Sequence, residues 1–192
     1  MIRKDRQTLE TQINLALSNE RPASESKIIT GIGFFDHMLT LFSFHSGLYV
    51  EIDAKGDLEV DDHHTVEDVG ILLGECIRDL YKAQASYQRY GMMYLPMDES
   101  LARVVLDLSG RPHLNMQARF SKEKVGSFDT ELVEEFFNAI AMNSRMTLHI
   151  DLLKGGNTHH EIEGVFKAFA RSLKMALQPA EGGVPSSKGL IS

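Results

Sequence analysis

The chain of 192 residues has one cysteine, no block of basic residues and no run of 18 apolar residues. Each absence removes a class of protein. The lone Cys76 excludes an intrachain disulfide, and it falls on an apolar helical stripe, so packing is its expected role and a reducing cytoplasm the expected compartment. With 27 acidic against 20 basic residues, the net charge of −7 gives a phosphate backbone no basic face to bind. Without a long apolar run or a charged-then-apolar leader, neither a membrane span nor secretion is indicated. No segment is of low complexity. What remains is 43% hydrophobic, enough for a sizeable core in one domain or in two fused halves of one fold.

One stretch occurs twice. Asp61-Asp62-His63-His64-Thr65-Val66-Glu67-Asp68 and Asn157-Thr158-His159-His160-Glu161-Ile162-Glu163-Gly164 both read H-H-x-x-E, 96 residues apart. At the same offset Val66, Val69, Leu73, Ile77 and Leu80 fall on Ile162, Val165, Phe169, Leu173 and Ala176. Each copy therefore opens an amphipathic helix behind a polar N-cap. The first His and the Glu of each copy share a helix face, and the second His points about 100° away. Each helix start thus offers two metal half-sites. If the helices meet across a pseudo-twofold, each ion takes a His/Glu pair from one motif and a lone His from the other. Imidazole with carboxylate favours Mn, Fe, Co, Ni or Zn over Ca or Mg. A pair of surface histidines with a helix-stabilising Glu is the plainer alternative.

Residues 2–17 alternate as a strand, with Ile13, Leu15 and Leu17 on one face. Gly31-Ile32-Gly33 leads into a helix ending near Ser46-Gly47, a C-cap pattern. Two glycines before a helix resemble a phosphate cradle, and a close-packed turn is the competing reading. Strands over 48–54 and 57–60 precede the first motif helix, which the periodicity carries to about residue 86. In the second half, strands cover 103–108, a stretch with Leu114, Met116 and Ala118 inward, and 146–151. A helix spans 129–144 before the second motif helix. Aligning 48–53 with 146–151 gives an offset of 98 and places His37 opposite Glu135. The pattern predicts an α+β protein of duplicated β-β-α-β-α-like halves, about 1–88 and 89–180, with a tail over 181–192.

Seven stretches, in order, resemble the imidazoleglycerol-phosphate dehydratase family over essentially the whole chain. They are Arg6-x-Thr8-x-Glu10-Thr11, Gly31-x-Gly33-Phe34-x-Asp36-His37-Met38-Leu39, Asp61-Asp62-His63-His64-x-x-Glu67-Asp68 and Ser109-Gly110-Arg111-Pro112. The others are Asn157-x-His159-His160-x-x-Glu163, Phe166-Lys167-Ala168 and Pro185-Ser186-Ser187-Lys188-Gly189. The resemblance implies two four-stranded sheets flanking a helical layer, of the ribosomal protein S5 domain 2-like kind. It implies trimers assembled into a cage of twenty-four subunits, with two Mn²⁺ per active site at subunit interfaces.

Carried over by position, His63, Glu67, His160 and Glu135 would hold one ion, and His37, His64, His159 and Glu163 the other. Glu135 departs from the family, many of whose members have His there; His149 is the substitute. The implied catalytic residues are Glu10 as general base, His45 and Asp98. Glu10, His37, His45, His63, Glu67 and His159 would face the substrate. Its phosphate would meet Arg89, Arg111, Lys167, Ser186, Ser187 and Lys188, whose guanidinium, ammonium and hydroxyl groups suit phosphate oxygens.

The reaction implied is dehydration of imidazoleglycerol phosphate to imidazole acetol phosphate in histidine biosynthesis. The hydrogen to be removed is not acidic. An imidazole held between two ions loses its N–H proton more readily, and the imidazolate can then expel the neighbouring hydroxyl. A dinuclear metallohydrolase and a metal-buffering cage are the readings from other classes.

Overall fold

A computed structural model describes residues 1–181 and 183–185. The first half runs β1 (Ile2–Gln7), β2 (Thr11–Ser18), β3 (Lys27–Ile29), α1 (Gly33–Ser46), β4 (Tyr49–Gly56) and α2 (His63–Lys82). The second runs β5 (Tyr90–Met97), β6 (Ser100–Asp107), β7 (His113–Gln117), a small β8–β9 hairpin (Lys124–Val125 and Phe128–Asp129), α3 (Leu132–Ser144), β10 (Thr147–Lys154) and α4 (Thr158–Ala176). One four-stranded sheet has the order β1-β2-β4-β3 and the other β5-β6-β10-β7. β3 pairs parallel to β4 and β7 pairs parallel to β10, while the remaining pairs in these two sheets are antiparallel. The duplication thus holds for the four strands of each sheet; the alternation marked β7, whereas the short parallel strand β3 was not apparent from it.

Several boundaries differ from the periodicity. Residues 2–17 form two strands, because Thr8 closes a turn: its Oγ accepts from the amides of Glu10 (3.1 Å) and Thr11 (2.9 Å). Residues 57–60 form a turn closed by Val60 N–H donating to Asp57 O at 2.8 Å, not a strand. The first motif helix stops at Lys82, and α3 starts at Leu132. Gly47 does cap α1 in the left-handed region, at φ 76°. Gly31 also has a positive φ of 83° and lies close against Leu58, so the glycine pair serves a tight turn.

α2 covers the first sheet and α4 the second; α3 packs on α2 and α1 on α4. Gly70 and Gly74 let α2 approach the α3 backbone at Phe136 and Ile140. A chain of rings joins the two halves across the helical layer: Phe35 meets Phe136 edge-on at 5.1 Å, and Phe42 stacks on Phe169 at 5.7 Å. Phe35, Phe137 and Phe169 are fully buried. Each such ring contributes about 1.5–3 kcal/mol relative to exposure. Among the described residues no helix is long and apolar enough to cross a membrane.

Candidate active site

α4 starts where three side chains satisfy its free amides. Asn157 Oδ1 accepts from His159 N at 2.9 Å, and Glu99 accepts from Asn157 N at 2.7 Å. The fully buried Glu161 takes Gly156 N at 2.7 Å and both the amide (3.0 Å) and hydroxyl (2.5 Å) of Ser121. This cap fixes the rotation of the helix. His159 and Glu163 then share a face, with Nε2 and Oε2 3.2 Å apart, and His37 from α1 brings its Nε2 to 3.7 Å from the same oxygen. Phe34 braces the His159 ring edge-on at 5.3 Å.

The opposite oxygen of Glu163 pairs with Lys167. Burial pushes the Glu163 carboxyl up, but Lys167, His159 and His37 outweigh it and hold it below the usual range. Three donor atoms of His37, His159 and Glu163 lie within 4.8 Å of one another. First-row ions bind such donors at about 2.1 Å, so donors on one ion stand up to about 4.2 Å apart. Both measured pairs meet that limit, and the mixed nitrogen and oxygen set fits manganese or its neighbours.

The second histidines point elsewhere. His160 Nδ1 lies 3.2 Å from Glu99 and 3.8 Å from Asp98, in the tight β5–β6 turn where Asp98 takes φ 50°. Glu99 is held at about 2 by its own amide, that of Asn157 and His160. His64 Nδ1 lies 3.0 Å from Asp57, whose hydrogen bond raises the imidazole above its ordinary value. Glu10 reaches within 3.8 Å of His64 Nε2. Its hairpin is pinned by Asp68 of α2, which accepts from Arg6 at 2.6 Å and Thr11 at 2.5 Å. An open cleft of about 510 Å³ runs between Glu99, Lys122, Lys124, Thr158 and His160.

Among the described residues, the remaining predicted metal ligands do not join the cluster of His37, His159 and Glu163. His63 and Glu67 are half-buried on α2 and Glu135 is exposed on α3. Among the described residues these three do not form a close donor group as their counterparts His159, Glu163 and His37 do. His149 lies on the outer face of its sheet beside His113, ring centroids 5.8 Å apart, while its neighbours Leu148 and Ile150 enter the core. His45 closes α1, its imidazole pushed down by burial and by Lys167 and Arg171.

Arg89, at φ 71°, is bound by Asp107 through Nε (2.6 Å) and Nη2 (3.0 Å), and donates from Nη1 to Pro185 O at 2.7 Å. Asp107 also faces the exposed Arg111 at 3.8 Å. Ser186, Ser187 and Lys188 lie outside the described residues. Sequence reasoning missed Asp57, Glu99 and Asp107, none of which stands at motif spacing. Asp107→Ala should destabilise the protein by about 3–5 kcal/mol, because Arg89, with 10% of its side chain exposed, loses its carboxylate. Denaturant midpoints should show a much smaller loss for Asp107→Asn, whose amide oxygen keeps one of the two bonds.

A family model described as imidazoleglycerol-phosphate dehydratase matches residues 30–173. A protein of that name from Staphylococcus carnosus is 61% identical over 191 residues, covering 98% of each chain. The crystal structure of the Staphylococcus aureus imidazoleglycerol-phosphate dehydratase is 55% identical and superposes with a TM-score of 0.85, over 93% of this chain and 98% of that one. A Pyrococcus furiosus structure is 35% identical with the same TM-score, covering 97% and 99%.

Proposed function

Since the chain belongs to the imidazoleglycerol-phosphate dehydratase family, we propose that it is a hydro-lyase of histidine biosynthesis acting on imidazoleglycerol phosphate with two Mn²⁺ per site. The observation that carries the metal reading is the convergence of His37, His159 and Glu163 from two helices. Once bound, the ions would supply Lewis acidity that makes the substrate's imidazole N–H easier to lose.

The chain's own residues divide the remaining work. Glu10, on the hairpin pinned by Asp68, is the carboxylate that takes the C–H proton. Arg111 presents an exposed guanidinium fork to the phosphate, and Lys167 adds an ammonium beside Glu163. Arg89 has three of its five N–H donors committed within the chain. Its part is to hold the tail at Pro185 and to offer the phosphate what remains. His45 and Asp98 complete the substrate's surroundings.

His63, Glu67 and Glu135 stand apart from the cluster on α1 and α4, and His64 and His160 turn to other carboxylates. Four-ligand sets therefore need groups from more than one chain. This favours active sites at subunit interfaces, as in the cage of twenty-four built from trimers that the family resemblance implies.

Turnover of imidazoleglycerol phosphate by metal-stripped protein, with and without Mn²⁺, tests the reading. Turnover should vanish on stripping, return with Mn²⁺, and release no inorganic phosphate; the stripped particle should shrink toward trimers. Phosphate release would mark a metallohydrolase. Bound Mn²⁺ without turnover would mark a metal store.

A further inference from the structure

We infer that Asp57 and Glu99 are positioning carboxylates that set the tautomer of His64 and His160, so that both imidazoles present Nε2 to an ion. This rests on the dimetal reading above for its purpose, though not for its geometry. Both oxygens of Asp57 lie near His64 Nδ1, at 3.0 and 3.2 Å, and both oxygens of Glu99 lie near His160 Nδ1, at 3.2 and 3.3 Å. An ionised carboxylate only accepts, so the shared proton sits on Nδ1 and the lone pair on Nε2. His37 and His159 already turn Nε2 toward Glu163. All four imidazoles would then offer the same nitrogen.

The two carboxylates are themselves held in place. Oε1 of Glu99 takes the Asn157 amide at 2.7 Å, and its Cγ lies so close to Gly156 that a Cβ there would stand 2.5 Å away. Asp57 begins the turn closed by Val60. Nor are they products of the internal duplication: Asp57 follows β4, whereas Glu99 sits in the β5–β6 hairpin. Two unrelated loops supply the same contact to the same histidine of each motif. An acceptor behind a ligating imidazole fixes ring orientation and raises ligand basicity.

Glu99→Gln separates this role from simple packing. With its amide oxygen kept on the Asn157 amide, the amide nitrogen replaces the oxygen nearer to His160 Nδ1, at 3.2 Å, and favours an imidazole that accepts at Nδ1 and carries its proton on Nε2. Mn²⁺ titration of stripped protein, followed by electron paramagnetic resonance, should show one class of ion weakened roughly 10–100-fold. Asp57→Ala should weaken the other class by a similar factor. Asp57→Asn should do less, since its side chain can turn an oxygen to His64. Nitrogen-15 resonances of the metal-free protein should show His64 and His160 protonated on Nδ1, and His160 switched to Nε2 in Glu99→Gln. Mn²⁺ affinities within twofold of the unaltered protein for both Glu99→Gln and Asp57→Ala would overturn the inference, as would finding the neutral imidazole of His64 or His160 protonated on Nε2 rather than Nδ1 in the unaltered metal-free chain. Failure of the unaltered protein to bind Mn²⁺ would instead sink the dimetal reading and leave the tautomer measurement to decide this one.

Discussion

Glu163→Gln is expected to abolish turnover, lowering kcat by on the order of 10³-fold or more, equivalent to about 4 kcal/mol of lost transition-state stabilisation. One carboxylate meets three partners: Oε2 lies 3.2 Å from His159 and 3.7 Å from His37, and the other oxygen pairs with Lys167. Glutamine is isosteric, so the helix and its neighbours stay in place. It removes the charge that makes the oxygen a metal donor, and it leaves Lys167, with 17% of its side chain exposed, without a counter-charge. About half of the bound Mn²⁺ should disappear with the activity, since only one of the two ions uses this residue. Elemental analysis and initial rates on protein with unchanged circular dichroism would check both. Full metal content with turnover within a few-fold of normal would remove Glu163 from the metal site. Loss of thermal stability without loss of metal would make it a structural partner of Lys167.

Much of this arrangement is legible in the sequence. The repeated H-H-x-x-E marked the starts of α2 and α4, because His63 and Thr158 open those helices within a residue of the motif. The offset of 98 aligned Tyr49–Gly56 with Thr147–Lys154, which are the third-ranked strands of the two sheets. Helical periodicity survives in a sequence because each apolar position faces one common core: all ten aligned stripe residues are buried.

What the sequence concealed has equally physical causes. β5 was hidden because its outward face carries Tyr90, Met92 and Tyr94, each more than half exposed, so hydrophobicity does not alternate. β3 is three residues long, too short for any period. The carboxylates Asp57 and Glu99 act through space on histidines 7 and 61 residues away, so no local pattern announces them. His37 and Glu163 meet only because α1 packs on α4. The family resemblance supplied that pairing; spacing alone did not.

The last expected result concerns the support on which α4 rests. Gly91 is buried in β5, where a Cβ would collide with the carbonyl of Ser172 and stand 3.2 Å from the amide of Ala176. Both obstacles are backbone, so no side chain can rotate aside. Hydrogen bonds on either side hold the approach: Arg89 N donates to Ala176 O at 3.0 Å, and Ser172 Oγ donates to Val104 O at 3.1 Å. Gly91→Ala should therefore cost about 3 kcal/mol, the upper end of overpacking effects. For a chain of this size that is a fall in Tm of about 6–12 °C. Gly33→Ala is the control, since nothing lies within 4 Å of its Cβ position and its φ is not positive. It should be neutral or stabilising by up to about 1 kcal/mol. Thermal melts of metal-free protein separate the two, and equal melting temperatures would mean that β5 yields where the packing says it cannot. The consequence reaches the site, because any outward shift of α4 carries His159, His160 and Glu163 away from His37 and Glu99. A melt lowered in Gly91→Ala should thus be accompanied by weaker Mn²⁺ binding, although the substitution lies on a different element from every predicted ligand.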